Sequence, residues 1–412
     1  MMDRMGRTLI SMVVGIAVAR HLGPENFGIL SFAIAISGIF MVMAGLGLDE
    51  ILVRDFANDL IANAAWKAAW QLRLTTAGAS YVVTMATVWI WRPASPEVWG
   101  IAAIVAAGMI FAPCDLVDFW FQAKQQMRVP AMARQLSLWL AAGWRLLLLA
   151  GDAPLSAFAW ANLAEAALVG SALWWVFCRT NKTASFDGEV AGHRSRMLRE
   201  GWPLAISSLL VIVTMQADRL LLSRYGGDAV VGIYAAAARL TEVLHALPVA
   251  LGVALMPHLV ALYREDRTGY WRLAGRTMGG LTMFGIVCAS AVTLLAPVFL
   301  PWLLGKDYAD SARILGIHIW TLVFVFMVSM RSRFLVIQGA TRWIFFMSLP
   351  TALLNILANL VLIPRYGGLG AAWAAVGAWG FSALVIPWLF PITRSLAMNI
   401  IRGGKPDLGT TQ

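Results

Sequence analysis

Long apolar stretches alternate with short polar connections along the whole chain. Gly, Pro and basic residues mark the ends of most stretches, and charged residues are rare inside them. A helix of about 20 apolar residues is long enough to cross the hydrocarbon core of a bilayer. The pattern predicts twelve transmembrane helices, at about 5–20, 27–52, 70–91, 98–121, 133–150, 155–178, 203–223, 230–260, 277–304, 314–337, 343–363 and 368–393.

The composition is typical of a membrane protein and excludes an ordinary soluble enzyme. Of the 412 residues, 60% are apolar and only 13% are charged, and the mean hydropathy is +0.72. Soluble domains carry about 25% charged residues. Twelve crossings with their connections use nearly the whole length, so no sizeable extramembrane domain is expected. The predicted fold class is an all-α polytopic membrane protein.

The net charge of +10 is best explained by membrane topology. Most of the 32 Lys and Arg residues fall in connections on one side of the membrane, the side that also holds both termini. Short cytoplasmic loops are enriched in basic residues, so we expect both termini in the cytoplasm. The basic charge then indicates contact with anionic membrane lipids and gives no reason to expect nucleic acid as a partner.

Two segments half a chain apart resemble each other. Residues 20–29 align without gaps on residues 224–233, and a weaker match pairs 121–123 with 337–339. Six crossings per copy start on the same side of the membrane, which predicts parallel repeats related by an axis along the membrane normal. The expected domains are a six-helix lobe at 1–178, a basic cytoplasmic linker at 179–201, a second six-helix lobe at 202–394 and a cytoplasmic tail at 395–412.

The N-terminus has a competing interpretation. Arg4 and Arg7 precede an apolar run that ends in Ala17-Val18-Ala19, a pattern that imitates a secretory signal peptide with its cleavage site. Cleavage there would leave eleven crossings. We favour a retained first helix, because the same segment has a counterpart in the second half of the chain.

Motifs for catalysis or cofactor binding are absent from the sequence. Gly305-Lys306 has Leu300 where a phosphate-binding loop requires its first glycine. The three cysteines and five histidines are scattered without metal-like spacing, so we expect no disulfide framework, no metal site and no cofactor. The exterior connections are too short to hold the substrates of a membrane-embedded glycosyltransferase or polymerase. We therefore expect a protein that is not an enzyme.

Polar side chains remain inside several predicted helices, where a charge costs at least about 2.5–3.5 kcal/mol to insert. Spacings of three and four residues place them on common faces, which we expect to line a hydrated interior. Two structural alternatives stay open: Arg239 pairs only with Glu242, or the Asn and Thr side chains of the eleventh predicted helix, 343–363, join neighbouring helices. The candidates are Asp115, Asp118, Gln122, Asn162, Glu165, Thr214, Asp218, Arg219, Arg239, Glu242, His245, Ser348, Thr351, Asn355 and Asn359.

A series of short motifs extends over nearly the whole chain. They are Arg20-His-Leu-Gly-Pro-Glu-Asn-Phe-Gly28, Leu46-Gly-Leu-Asp49 with Arg54, Trp202-Pro203 with Asp218, Gly232-Ile-Tyr-Ala-Ala-Ala-Ala-Arg239, Pro248, Pro257, Gly305-Lys-Asp-Tyr308, Asn355-Ile-Leu-Ala-Asn359, Pro364-Arg-Tyr-Gly-Gly368 and Gly370-Ala-Ala372. In these residues the chain resembles the polysaccharide-export flippases. These are the O-antigen and related lipid-linked oligosaccharide translocases of the multidrug, oligosaccharidyl-lipid and polysaccharide (MOP) exporter superfamily.

The resemblance implies a multi-pass protein of the bacterial inner membrane. Such a protein moves an undecaprenyl-diphosphate-linked oligosaccharide, such as an O-antigen or exopolysaccharide repeat unit, from the cytoplasmic to the periplasmic leaflet. Two six-helix lobes would enclose a cationic cavity and open it to one leaflet at a time. The polysaccharide polymerase and glycosyltransferases are the protein partners that this implies. Members usually begin with a full first helix, and an upstream start would put Arg7 within it.

Arginine is the side chain best suited to hold the diphosphate, because guanidinium binds phosphate oxygens bidentately and stays charged at depth. We expect Arg219 and Arg239 in this role, with Arg145 and Arg7 as weaker candidates. We further expect an acid among Glu165, Asp218, Asp115 and Asp118 to couple transport to H⁺ or Na⁺. Asn355 and Asn359 are candidate oxygen ligands for a coupling cation.

Two other classes stay open. A cation-coupled multidrug exporter of the same superfamily would favour acidic, aromatic-lined sites over arginines. A scaffold for polysaccharide enzymes that transports nothing would tolerate neutralisation of every buried charge. The sequence does not identify the glycan, the coupling ion, the oligomeric state or the conformational state.

Overall fold

The computed structural model describes residues 2–58, 62–180, 190–340, 342–394 and 398, and all regular secondary structure in these residues is helical. Short 3₁₀ segments at Ala107–Asp115 and Lys306–Tyr308 and a π-helical segment at Phe381–Val385 connect some of the α-helices. The α-helices are α1 (Met2–Gly45), α2 (Asp49–Phe56), α3 (Ala62–Trp91), α4 (Pro96–Ala106), α5 (Leu116–Ala123), α6 (Arg128–Ala150), α7 (Leu155–Thr180), α8 (Val190–Tyr225), α9 (Asp228–Glu265), α10 (Arg267–Leu304), α11 (Ala309–His318), α12 (Thr321–Ile337), α13 (Arg342–Gly380) and α14 (Ile386–Leu389).

Several of these helices can cross a membrane. Within the described residues, six spans are long and apolar enough, and a seventh arises if the two helices on either side of a 42° bend, Lys306–His318 and Thr321–Ile337, form one span. The six are Ile10–Gly45, Pro96–Ala123, Leu155–Thr180, Gly192–Tyr225, Arg267–Leu304 and Arg342–Leu389. The chain is therefore a multi-pass membrane protein, and the number twelve stays a prediction.

Two of the long helices are interrupted by a glycine. Gly23 in α1 has φ 73° and ψ 170°, and Gly367 in α13 has φ 54° and ψ −131°. Glycine adopts positive φ without the steric cost that a Cβ atom imposes. Pro24 follows the first break directly, and Pro364 precedes the second by three residues. Each of these helices therefore consists of two segments.

The chain forms two compact units. The first compact unit is Val13–Gly232, and the second is Met1–Met12 with Ile233–Gln412. Helix α8 lies in the first compact unit, where it packs against α3 and α2. It begins at Val190, so part of the segment predicted as the linker 179–201 is helical. The division into repeats at this linker stays a prediction, because compactness and repeat boundaries are different properties.

An aromatic cluster forms much of the core of the first compact unit between α2, α3, α5 and α7. Phe56, Trp66, Trp120 and Phe177 are members of it, and the rings of Trp66 and Phe177 stack with their centroids 4.3 Å apart. Large aromatic side chains supply much apolar contact area per residue. This cluster holds the four helices together.

Candidate functional site

Arg145 of α6 and Glu165 of α7 form an ion pair in the first compact unit. The Nη2 atom of Arg145 lies 2.6 Å from Oε2 of Glu165 and donates a hydrogen bond of 3.1 Å to Oδ1 of Asn162. Asn162 is held in turn, because its Nδ2 donates to the carbonyl of Phe158 at 2.8 Å. A candidate diphosphate ligand and a candidate coupling acid are thus direct partners, with balanced charge.

Asp115 and Asp118 share a cation that the sequence analysis did not select. Arg134 of α6 pairs with Asp115 at 2.8 Å and also with Asp118. All three side chains are partly buried, with exposed fractions of 33% for Arg134, 36% for Asp115 and 23% for Asp118. The predicted common face of the two acids agrees with this arrangement. The Asp115–Arg134–Asp118 triad holds one carboxylate more than it holds cations.

Arg219 and Asp218 lie near the end of α8. The side chain of Arg219 is only 9% exposed, and its Nη1 atom donates to Oε1 of Gln216 at 2.7 Å. Oδ1 of Asp218 accepts a hydrogen bond of 2.8 Å from the backbone N–H of Arg219.

Arg239 lies on α9 in the second compact unit, next to the start of α1. Its Nη2 atom makes weak contacts with the carbonyl and the hydroxyl oxygen of Ser11, at 3.3 and 3.5 Å. Arg7 lies one turn before Ser11 on the same helix, and its side chain is outside the described residues. The structure therefore brings Arg239 to the helix that carries Arg7.

Asn355 and Asn359 of the eleventh predicted helix, 343–363, are buried neighbours on α13. The Nδ2 atom of Asn359 donates to Oδ1 of Asn355 at 3.1 Å, and the two residues are 0% and 4% exposed. Thr351, one turn earlier, donates to the carbonyl of Met347 on its own helix. Oδ1 of Asn359 has no hydrogen-bond partner among the described residues. The Oδ1 atom of Asn359 is therefore the candidate atom on this helix for binding a cation.

Arg331 on α12 is a buried cation that the sequence analysis missed. It is 5% exposed and donates to the carbonyl of Ser382 and, at 3.3 Å, to the Ser382 hydroxyl. Its Nε atom has no partner, and no carboxylate pairs with it, within the part of the chain that the structure describes. Its position inside the predicted span 314–337 was the signal that could have identified it.

Arg73 on α3 is a second buried arginine that was missed. Its side chain pairs with Asp49 at 2.8 Å, and its guanidinium lies 5.1 Å from the centroid of the Phe119 ring. Among the described residues, no group of three or more His, Cys, Asp and Glu side chains is placed to hold a metal ion. The polar chemistry of the helices therefore rests on arginine, carboxylate and amide groups.

Two family models match the chain. The model described as polysaccharide biosynthesis protein matches residues 2–262. The model described as MatE matches residues 203–361. A Shigella dysenteriae protein that carries the description O-antigen transporter is 25% identical over 190 residues, which is 46% of each chain. The match thus spans less than half the length of this curated relative.

Solved structures of transporters share the fold. A structure of the lipid II flippase MurJ in an inward closed conformation matches with a TM-score of 0.78 at 14% identity, over 98% of this chain and 90% of that one. An inward-facing multidrug resistance MATE family transporter of the MOP superfamily matches with a TM-score of 0.69 at 15% identity, over 95% and 96% of the two chains. Family and fold are those of transporters and flippases, not of enzymes.

Proposed function

The chain belongs to the polysaccharide biosynthesis protein family, within the MOP superfamily, and from this premise we propose that it is a flippase for a lipid-linked oligosaccharide. Its substrate is an undecaprenyl-diphosphate-linked repeat unit, carried from the cytoplasmic to the periplasmic leaflet of the bacterial inner membrane by alternating access. The family match over residues 2–262 carries the proposal. Arginines buried in apolar helices support it, because such charges at membrane depth tend to serve function.

The proposed topology has twelve crossings with both termini in the cytoplasm. The span Ile10–Gly45 has 36 residues and Arg342–Leu389 has 48, lengths of about 54 and 72 Å at 1.5 Å per residue. Both exceed a hydrocarbon core of about 30 Å, and both contain a glycine break. In this topology, the spans Ile10–Gly45 and Arg342–Leu389 supply two crossings each. The pairs α4–α5 and α11–α12 supply one crossing each. The single helices α3, α6, α7, α8, α9 and α10 supply one each, which brings the number to twelve.

The proposed repeats have support from backbone geometry. Gly23 and Gly227 occupy equivalent positions in the two aligned segments, and their φ angles are 73° and 80°. Gly23 directly precedes the second helical segment of α1, and Gly227 directly precedes α9. A positive φ at the same aligned position is what two copies of one structural unit would have.

The diphosphate of the substrate is proposed to bind to Arg219 and Arg239, with Arg145 and Arg7 in supporting roles. Guanidinium groups offer paired N–H donors to phosphate oxygens, and the sugars and prenyl chain carry no comparable charge. Arg145 is the weakest of these candidates on geometric grounds, because Glu165 already neutralises it.

Proton coupling is proposed to use the Asp115–Arg134–Asp118 triad. Its excess carboxylate can take up one proton and leave a neutral cluster, whereas the Arg145–Glu165 pair is already balanced. Asp218, Asn355 and Asn359 remain the candidates for a cation such as Na⁺, since carboxylate and amide oxygens bind hard cations. The polymerase and glycosyltransferases of polysaccharide synthesis are the proposed protein partners.

A translocation assay tests the flippase proposal. Purified protein in vesicles moves a fluorescent undecaprenyl-diphosphate-linked glycan, and flipped molecules are counted by a membrane-impermeant reagent. We expect Arg239→Ala to slow this movement about 10- to 100-fold, because a hydrogen bond to a charged group contributes about 1.5–3 kcal/mol. The matched control is Arg264→Ala, an exposed arginine on the same helix. Equal rates for the two variants would reject the assignment of Arg239.

The MATE likeness and the MatE match over 203–361 support one rival function, cation-coupled export of drugs. The rival predicts that expression raises resistance to cationic drugs and that the glycolipid stays in its original leaflet. The proposed flippase predicts movement of the glycolipid and unchanged drug resistance.

A further inference from the structure

The end of α8 is fastened to the end of α3 by Arg92. The Nη1 atom of Arg92 donates to the carbonyl of Ser223 at 2.7 Å, and Nη2 pairs with Oδ2 of Asp228 at 2.5 Å. The neighbouring Trp91 donates from Nε1 to the carbonyl of Leu220 at 3.3 Å. One arginine thus holds both the last turn of α8 and the first residue of α9.

Two glycines lie against each other beside this arginine. A Cβ atom added to Gly28 would overlap the carbonyl oxygen of Asp228, and one added to Gly232 would overlap that of Pro24. Each added Cβ would also lie 3.0 Å from the backbone nitrogen of the other glycine. Pro24 and Gly28 align with Asp228 and Gly232 in the repeated segments, so the contact is reciprocal. It consists of backbone alone, which small residues permit.

The beginning of α8 is fastened to α2 by a four-residue ion cluster. Asp55, only 2% exposed, accepts from Nε of Arg54 at 3.2 Å and also pairs with Arg196. Glu200 pairs with Arg54 at 2.7 Å. Nearby, a Cβ atom on Gly201 would lie 2.7 Å from the carbonyl oxygen of Leu46. Helix α8 therefore approaches the loop after α1 closely here, although less closely than α9 approaches α1 at the other contact.

We infer that these contacts are two latches on α8, an end latch (Arg92, Ser223, Asp228, Gly28 and Gly232) and a start latch (Arg54, Asp55, Arg196, Glu200 and Gly201), which open in turn during transport. The inference rests on the proposed alternating access, since a carrier opens one side while the other stays closed. Both latches are closed in this structure, and this explains why α8 belongs to the first compact unit.

The chemistry of both latches suits contacts that break and re-form. When α8 leaves α2, Asp55 keeps Arg54 as a partner, because Arg54 lies on the same helix. When the end latch opens, Asp228 keeps the stabilisation of a negative charge at the first turn of α9. Neither carboxylate is left buried and without a compensating positive charge, the situation that makes an ion pair expensive to break.

Hydrogen exchange measured by mass spectrometry tests the latches on the full chain in nanodiscs, without substrate. Backbone N–H groups in the first turn of a helix have no partner within the helix, so their exchange reports on the glycine contact directly. We expect Arg92→Gln to speed exchange about tenfold or more in 24–28 and 223–232, with no increase in 46–56 and 196–205. Arg196→Gln should speed exchange in 46–56 and 196–205, with no increase in 24–28 and 223–232.

A glycine variant tests the end latch without a change of charge. Gly28→Ala should open it as Arg92→Gln does, because the new methyl group overlaps the backbone of Asp228. The matched control is Gly38→Ala on the same helix, where an added Cβ has nothing within 4 Å. Arg224→Gln and Arg199→Gln, exposed arginines on α8, control for loss of charge near each latch.

The outcomes separate the latches from the proposed function. Unchanged exchange in both Arg92→Gln and Gly28→Ala would overturn the end latch, and unchanged exchange in Arg196→Gln would overturn the start latch. Faster exchange at both ends in each variant would show general loosening and overturn alternation. If exchange follows the expected distribution but the translocation assay shows no glycolipid movement, the latches stand and the flippase proposal fails.

Discussion

Individual charged residues in this protein have partners that sequence spacing does not show. Asp115 and Asp118 lie on one helix face, as their spacing predicts, and their shared partner Arg134 comes from the next helix. Arg134 lies near the basic connection at the start of α6, where a positive charge is readily attributed to topology. Arg145 and Glu165 were selected for different roles, yet they pair with each other. Helical periodicity identifies faces, and only tertiary packing pairs them.

The residue Asp118 offers a test of proton coupling. Asp118→Asn removes the excess carboxylate of the triad and leaves Arg134 paired with Asp115. Because the neutral triad has no site for the transported proton, we expect glycolipid translocation in this variant to lose its response to a pH gradient. The measurement is the translocation rate in vesicles with and without an imposed gradient.

The control for Asp118→Asn is Glu97→Gln, an exposed acid in the first turn of α4. This variant should respond to the gradient as the unmodified protein does. A full response to the gradient in Asp118→Asn would remove the triad from the coupling mechanism and leave Asp218 and Glu165 as the remaining acids.

At the scale of helices, apolar periodicity predicts the elements well and their interruptions partly. The predicted connections at 21–26 and 364–367 contain Gly23 and Gly367, the two non-helical residues within α1 and α13. The π-helical segment Phe381–Val385 was not predicted. An extra residue in one helical turn leaves no signature in the spacing of apolar residues, because it depends on a tertiary contact.

Arg331 of α12 makes a tertiary contact with this π-helical turn. A π-helical turn disturbs the ladder of backbone hydrogen bonds, and the Ser382 carbonyl within this turn accepts from the Arg331 guanidinium. The burial of Arg331 has one favourable and one unfavourable contribution to stability. Arg331 satisfies the carbonyl, which would otherwise cost about 1–3 kcal/mol. A buried cation without a carboxylate costs several kcal/mol in desolvation, so desolvation is the larger effect.

We therefore expect Arg331→Met to raise the midpoint of thermal unfolding, since it removes the buried charge and keeps most of the side-chain volume. Ser382→Ala should lower the midpoint, because the retained cation loses the hydroxyl acceptor that it has at 3.3 Å. Unfolding followed by intrinsic tryptophan fluorescence in detergent measures both. The control is Ser332→Ala. Among the described residues, the Ser332 hydroxyl bonds only to the carbonyl of Val328 on its own helix, so this variant should change stability by less than about 0.5 kcal/mol.

A lower midpoint for Arg331→Met would contradict this balance and make Arg331 a structural cap of the π-helical turn. A higher midpoint would mean that the charge is kept for a reason other than stability, as expected for ionisable groups inside membrane proteins.

For the whole molecule, composition and charge distribution predict a polytopic membrane protein, and the repeated segments predict where the backbone turns. They do not predict that the repeated segments touch. Gly28 and Gly232 are both conspicuous as glycines in aligned positions, but their contact depends on how α1 and α9 approach. The limit is again tertiary: a sequence repeat specifies two similar units and leaves their packing open.

The proposed topology predicts on which side of the membrane each connection lies. Alkaline phosphatase is active only on the outer side of the inner membrane. Green fluorescent protein that is exported in unfolded form does not fluoresce, so fluorescence reports a cytoplasmic position. With twelve crossings and cytoplasmic termini, phosphatase inserted after Asp152, which is 98% exposed, should be active. A fluorescent protein fused after Gln412 should fluoresce, and phosphatase at Gln125 should be inactive.

The reporters at Gln125 and Asp152 test whether α6 crosses the membrane. This helix has 23 residues but is not among the spans selected by length and apolar composition, because Arg128, Arg134 and Arg145 lower its hydropathy. If α6 crosses the membrane, its ends report opposite sides, and the charge of Arg134 and Arg145 is held at depth by their acidic partners. Equal reporter activity at the two sites would place α6 on one side and reduce the number of crossings below twelve.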